Sequence, residues 1–179
     1  VLVAGGGPSG MAAALAAAEA GADVLLVEHE YQLGGHLLWG GPADQGEAAD
    51  LVTAVEAHPG IEVLRNSTVT GRYDHNWVSV LERSHATAPE RLIRARAGSL
   101  VVAPGLVERP YVFAGNDTPG VMLSGAVRRL INLWAVKPGL RAVVLSANTQ
   151  GDSTLDDLRA AGVEIVASLE ERGGEERGR

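Results

Sequence analysis

Two hydrophobic periods follow each other along the first 28 residues. Val1, Leu2 and Val3 form a short apolar run, residues 11–20 form an alanine-rich stretch, and Val24, Leu25, Leu26 and Val27 form a second apolar run closed by Glu28. Short apolar runs bounded by turn residues suit strands buried on both faces, and the alanine stretch between them suits a helix, so this stretch predicts strand, helix, strand. Residues 47–58 place Ala49, Leu51, Val52 and Val55 at mostly helical spacing up to the stop Pro59-Gly60, and residues 61–64 return as a strand. Residues 68–73, 77–82 and 91–96 are alternating or β-rich, separated by the turn at 73–76 and the loop at 85–89. They read as a small antiparallel meander inserted in a parallel sheet.

Residues 99–103 form a buried-type strand that runs into Ala103-Pro104-Gly105. An irregular connection rich in turn residues follows, through residues 107–110 and 116–122. Ser124 is expected to cap a helix over residues 125–135, with Val127, Leu130, Ile131 and Trp134 on one face and Pro138-Gly139 as its stop. The opening pattern then recurs as a strand at 142–145, a helix at 154–161 capped by Asp152 or Ser153, and a strand at 163–166. The expected fold class is therefore α/β: a Rossmann-type parallel sheet with a glycine turn, an inserted antiparallel β-meander and a partial second βαβ unit. The expected division is a dinucleotide-binding domain over 1–115, a partial second unit over 116–169 and a charged, glycine-rich tail over 170–179 that frays. The chain opens on a valine already inside a strand, which reads as a piece of something longer.

The chemistry lies in the first turn. Gly5-Gly6-Gly7-Pro8-Ser9-Gly10 supplies GxGxxG between a strand and a helix. Gly5 permits the tight turn, Gly7 lets the backbone approach a pyrophosphate, and Gly10 lets helix and strand pack closely. Pro8 and Ser9 complete the turn, and at the N-terminus of the helix that follows the free N–H groups and the positive end of the dipole would face the diphosphate. Glu28, 18 positions after Gly10, stands where an acid hydrogen-bonds the adenosine ribose, and His29 follows it. A carboxylate there repels a 2′-phosphate, so the expected cofactor is FAD or NAD and not NADP. Two Gly-Gly pairs between residues 34 and 41 make a loop whose backbone can pass near a ligand, with Gly34 and Gly35 beside the cofactor and His36 either solvated or facing it. Gly105 is a further close-approach candidate. A glycine turn that merely packs is the alternative; strand, helix and terminal acid together favour nucleotide binding. The second βαβ turn, Asn148-Thr149-Gln150-Gly151-Asp152-Ser153, lacks the phosphate-binding glycines and is not expected to hold a second dinucleotide.

Composition narrows this further. A chain of 179 residues that is 46% hydrophobic can bury a core, and a net charge of -7 is no footprint for nucleic acid. Lys137 is the only lysine, which coding bias explains more simply than function. With no cysteine there is no redox disulfide, thiolate nucleophile or Cys-ligated metal, and no metal site is expected. No apolar run approaches the roughly 20 residues of a membrane span, and no charged leader precedes a signal-like segment; cytoplasm is the expected compartment. Glu108 and Asp117 read as solvated loop acids, and Arg94 and Arg96 as solvated charges on one strand face. A short-chain dehydrogenase would need Lys four residues after its catalytic Tyr. Gly35, Trp77 and Gly115 follow Tyr31, Tyr73 and Tyr111 at that spacing, so that reading fails.

The order of elements resembles the two-dinucleotide-binding-domain flavoproteins. More narrowly, the run Val101 to Pro110 (VVAPGLVERP) and the run Gly115 to Arg128 (GNDTPGVMLSGAVR) resemble the α subunit of heterotetrameric sarcosine oxidase and its relatives among amine, proline and opine dehydrogenases and hydrogen cyanide synthase. The similarity spans nearly the whole chain. Pro104 stands where the family usually has Thr, which removes a hydroxyl and a backbone donor near the cofactor. The resemblance implies an oxidoreductase of FAD/NAD type acting on amines or amino acids. In such complexes the amine is oxidised at a flavin in a partner subunit, while the α subunit's dinucleotide fold holds NAD or another adenine nucleotide; in stand-alone relatives the same fold holds FAD. Gly5, Gly7, Gly10, Glu28 and Gly35 match the motif in either case, and no catalytic residue is assigned. The competing reading is a non-catalytic scaffold subunit in which a bound adenine nucleotide steadies an interface.

Overall fold

The structure, a computed structural model, describes residues 1–83 and 86–170. The expected tail beyond residue 170, and His85 of the expected loop, lie outside the described residues. The chain divides into two compact units, Val1–Leu106 and Val107–Arg179, with the break inside the irregular connection.

The first unit is built on a four-stranded parallel sheet in the order β3-β2-β1-β7, made of β1 (Leu2–Ala4), β2 (Val24–Val27), β3 (Ile61–Leu64) and β7 (Leu100–Val102). Helix α1 (Pro8–Glu19) connects β1 to β2, and α2 (Pro42–Ala57) connects β2 to β3. Register pairs Leu2 with Leu25 and Leu100, and Val3 with Leu26 and Val101. Because side chains alternate along a strand, these rows face opposite ways. Val3, Val24 and Leu26 pack with Met11, Ala14 and Ala18 of α1 and Val55 of α2. Leu2, Val27 and Leu64 pack instead with Val78 and Val80 of the meander. The meander is a separate antiparallel sheet, β4 (Ser67–Tyr73), β5 (Trp77–Glu82) and β6 (Arg91–Arg96), that covers the face the helices leave open. Both faces of the sheet are thereby covered at its central strands β1 and β2, as parallel sheets require, while Val102 at the end of the edge strand β7 stays exposed.

Both helices begin earlier than apolar spacing suggests, and for the same reason. Gly7-Pro8 and Gly41-Pro42 each put Pro at the first helical position, where its fixed φ suits the helix and its missing N–H costs nothing. In α2 the Asp44 carboxylate also accepts the Gly41 N–H at 2.9 Å, so the helix starts at Pro42 although its apolar stripe starts later. Between β2 and α2 the chain makes a short 3-10 turn, Gly35–Trp39, that buries Leu37.

The second unit contains α3 (Ser124–Asn132), β8 (Arg141–Ser146), α4 (Gln150–Ala160) and β9 (Glu164–Glu170), with β8 and β9 parallel. Val127, Leu158 and Val163 form its buried centre. Arg128 of α3 donates to Asp157 of α4 at 2.6 Å with both side chains mostly buried, fixing the helix pair. The caps differ from expectation. Ser124 is the first helical residue, and its hydroxyl lies 2.5 Å from the Thr154 hydroxyl. The α3 N-terminus is held by Glu108, whose carboxylate accepts the Gly125 N–H at 2.7 Å, so this acid is partnered and not merely solvated. Asp152 and Ser153 lie inside α4, which starts at Gln150 because the Asn148 side chain accepts the Gln150 N–H at 3.0 Å. Trp134 lies beyond the end of α3 and is half exposed.

Leu26 is fully buried between the helices and the sheet. Leu26→Ala is expected to cost about 2–5 kcal/mol; urea unfolding should show a lower midpoint with an unchanged slope.

Candidate functional site

The expected site lies at the C-terminal edge of the parallel sheet, where β1 and β7 run side by side and the strand order β3-β2-β1 gives way to β7. Crevices at such switch points are where doubly wound sheets bind ligands. The turn after β1 is anchored on both sides. Gly5 donates to Val27 O at 2.8 Å, and Ala103 donates to Ala4 O at 2.8 Å.

Each glycine in the turn can be asked what a side chain would meet. Gly5 has φ +112, and a Cβ there would lie 2.1 Å from the Ala103 carbonyl oxygen. A Cβ on Gly10 would lie 1.8 Å from the Gly5 carbonyl oxygen, so strand and helix touch through backbone alone. A Cβ on Gly6 would meet the Leu33 side chain at 2.4 Å and the Glu28 carboxylate at 2.9 Å. Packing accounts for these three. Gly7 is different: its φ is -75, open to any residue, and the nearest atom to an added Cβ is the Gly35 Cα at 3.9 Å. Nothing inside the protein requires glycine at position 7.

What Gly7 faces is the second loop. Gly34 donates to the Gly6 carbonyl at 2.9 Å, which ties residues 34–35 to the turn. Gly35, at φ +56, comes so near that a Cβ on it would lie 2.9 Å from the Gly7 Cα. Two side-chain-free backbones thus border one space. At its base is the N-terminus of α1, which has no side-chain cap and no acid in its first turn. Pro8 has no N–H, Ser9 is exposed and Gly10 is buried. The positive end of this helix therefore meets no protein anion from its own first turn, as suits an incoming phosphate.

Glu28 is buried, at 5% exposure, and its carboxylate is already engaged. One oxygen accepts the Gly6 N–H at 2.6 Å, and the other accepts the Glu30 N–H at 2.8 Å. His29 Nδ1 lies 2.9 Å from that second oxygen, and its Nε2 lies 3.4 Å from Glu30. A carboxylate oxygen offers two lone pairs, so the oxygen on Gly6 keeps one for a further donor such as a ribose hydroxyl. Glu28 thus does two jobs: it holds the glycine turn, and it presents an acceptor beside it. The first was not read from the sequence pattern, in which Gly6 is only an unspecified position of GxGxxG; Leu33, 2% exposed, fills the space a Gly6 side chain would need.

Gly5, Gly7, Pro8, Ser9, Gly10, Glu28, His29, Gly34 and Gly35 are accordingly brought to one edge of the sheet. Gly105, after β7, has φ +77, a conformation that by itself favours glycine, and no protein atom lies within 4 Å of an added Cβ. His36 is exposed and stacks edge-on against Trp39, with centroids 6.3 Å apart. In the second unit, a Cβ on Gly151 would meet the Ser146 side chain at 2.5 Å, so this glycine serves strand–helix packing. Among the described residues no group of three His, Asp or Glu is placed to hold a metal ion, and no helix is long and apolar enough to cross a membrane.

Comparison with known proteins gives the family and the fold. The sequence profile of the FAD dependent oxidoreductase family matches residues 1–91. The chain is 40% identical to sarcosine oxidase subunit alpha of Rhizobium meliloti (strain 1021), over 96% of this chain and 19% of that protein. It is 28% identical to hydrogen cyanide synthase subunit HcnB of Pseudomonas protegens, over 94% of this chain and 38% of that protein. The chain therefore spans between about a fifth and two fifths of the curated relatives it matches. Its fold is shared with L-proline dehydrogenase from P. horikoshii, at a TM-score of 0.77 and 23% identity over 94% of this chain and 34% of that one.

The second and third glycines of the fingerprint, Gly7 and Gly10, separate folding from binding. Gly10→Ala should destabilise the protein by about 1–3 kcal/mol or more through overpacking. Gly7→Ala should leave stability within about 0.5 kcal/mol while weakening adenine dinucleotide binding about tenfold or more. Thermal melts beside calorimetric titration check both; equal loss of stability in the two variants would mean that Gly7 merely packs.

Proposed function

The chain belongs to the FAD dependent oxidoreductase family, and from that premise we propose that it is the dinucleotide-binding module of a flavin-dependent enzyme that oxidises amines or amino acids. The observation that carries the cofactor part is Gly7. Its lack of a side chain answers no internal contact, and it borders the space between the α1 N-terminus and Gly35. In this reading Gly5, Gly6, Gly7, Pro8, Ser9 and Gly10 with the α1 N-terminus hold the pyrophosphate, and Gly34 and Gly35 close the other side. Glu28 accepts from the adenosine ribose and disfavours a 2′-phosphate by like charge, while His29 keeps the Glu28 carboxylate oriented.

Bound there, FAD would supply two-electron oxidation and reduction at its flavin ring. These residues address only the adenosine diphosphate half, so the same set would hold NAD. The family favours FAD. The amine or amino-acid substrate rests on the 40% identity to a sarcosine oxidase subunit. That protein and the hydrogen cyanide synthase relative are both named as subunits, which supports other subunits as partners here.

The test is to purify the protein that carries this chain under native conditions, record its visible spectrum, identify the released nucleotide by mass spectrometry, and add sarcosine without oxygen. The expected result is a yellow protein that releases FAD and bleaches with sarcosine. A colourless protein releasing NAD would move the flavin to a partner subunit, and a protein releasing no adenine nucleotide would overturn the reading.

A further inference from the structure

The outer face of the β4-β5-β6 meander carries side chains that the fold does not use. Val69, Val78, Val80, Ile93 and Ala95 turn inward to the core, so the residues between them on β5 and β6 stand outward. Register sets Tyr73, Trp77 and Arg96 in one row across the three strands, and Gly71, Ser79 and Arg94 in the next. Tyr73 is 62% exposed and Trp77 42%. A Cβ on Gly71 would lie 2.9 Å from the Tyr73 hydroxyl and 3.1 Å from its ring carbons. The tyrosine ring is therefore laid across the glycine, along the sheet, and Gly71 provides the room for it.

The arginines on this sheet fall into two groups. Arg91 meets Glu82 at 2.7 Å, Arg83 meets Glu90 at 3.7 Å, and Arg72 is held by the Asn76 side chain at 2.8 Å. Arg94 and Arg96 have no ion pair or side-chain hydrogen bond among the described residues. Two positions apart on one strand, their Cα atoms are separated by roughly 7 Å, so the two like charges repel. In a chain of net charge -7, this face keeps two unneutralised guanidinium groups beside two exposed aromatics. Arg, Trp and Tyr are the residue types that dominate interface hot spots.

We propose that this face docks an acidic polypeptide segment of a partner protein, with carboxylates on Arg94 and Arg96 and the segment's apolar part on Tyr73 and Trp77. The guanidinium fork matches a carboxylate in two parallel hydrogen bonds. A polypeptide fits better than a nucleic acid, because the acidic remainder of the chain repels a densely charged polyanion while two or three carboxylates need only the local field. The proposal does not depend on which cofactor the first unit holds.

Fluorescence anisotropy tests it on the protein that carries this chain. The probes are a short labelled peptide alternating Glu with Leu, the same peptide with Gln for Glu, and an oligo-dT of matching charge. The expected result is salt-sensitive binding of the Glu peptide, weakened about tenfold or more both by the Gln replacement and by R94Q/R96Q in the protein. Both arginines are exposed, so the variant should fold, and the peptide replacement reads the same interaction without touching the protein. Equal binding of the two peptides, or of the Glu peptide by R94Q/R96Q, would overturn the proposal. So would binding of oligo-dT as tight as that of the Glu peptide, or a self-association of the protein that R94Q/R96Q abolishes, which would make the occupant a second copy.

Discussion

Backbone touches backbone where β1 turns into α1, and everything at the candidate site follows from that approach. An added Cβ on Gly10 would lie 1.8 Å from the Gly5 carbonyl oxygen, and one on Gly5 would lie 2.1 Å from Ala103 O. Only glycine at both positions lets the helix start directly over the end of the strand, with β7 alongside. That placement aims the uncapped α1 N-terminus at the edge of the sheet and leaves Gly7 at the rim of the space in front of it. A side chain at position 5 or 10 would push the helix away and remove the site together with the core contacts of Met11 and Ala14.

Glu28 extends this constraint to the neighbouring strand. Its carboxylate bonds Gly6 at 2.6 Å and Glu30 at 2.8 Å, so the end of β2, the glycine turn and the start of the next loop move as one piece. The Gly34 to Gly6 hydrogen bond at 2.9 Å adds the Gly34-Gly35 loop. A ligand in this crevice would meet groups already oriented, which reduces the ordering cost of binding. The role sequence reasoning assigned to Glu28, a ribose acceptor, is compatible with the role the structure adds, a brace for the turn. One lone pair on the Gly6-bonded oxygen serves the first while the others serve the second.

Much of this was legible in the residue pattern because the relevant signals are local. The apolar runs at Val24 to Val27 and Ile61 to Leu64 correspond to strands with those bounds, as does the alternating segment Trp77 to Glu82. The fingerprint glycines carry their reasons in their spacing. What was not legible depends on partners distant in sequence or on caps that leave no apolar trace. Glu108 binds a backbone group 17 residues away, and Ser124 is drawn to Thr154, 30 residues away. Pro42 and Asn148 start helices ahead of their hydrophobic stripes, so spacing alone placed both starts too late. Leu33 fills the space that Gly6 leaves, a contact between residues distant in sequence that spacing does not show.

We propose that the first βαβ unit, and not the second, holds the adenosine diphosphate half of a dinucleotide. Hydrogen–deuterium exchange on the protein before and after its nucleotide is stripped tests this most directly. Faster exchange is expected on stripping at residues 5–11 and 28–35, with residues 146–152 unchanged. Faster exchange confined to residues 146–152, with the glycine turn unaffected, would contradict it.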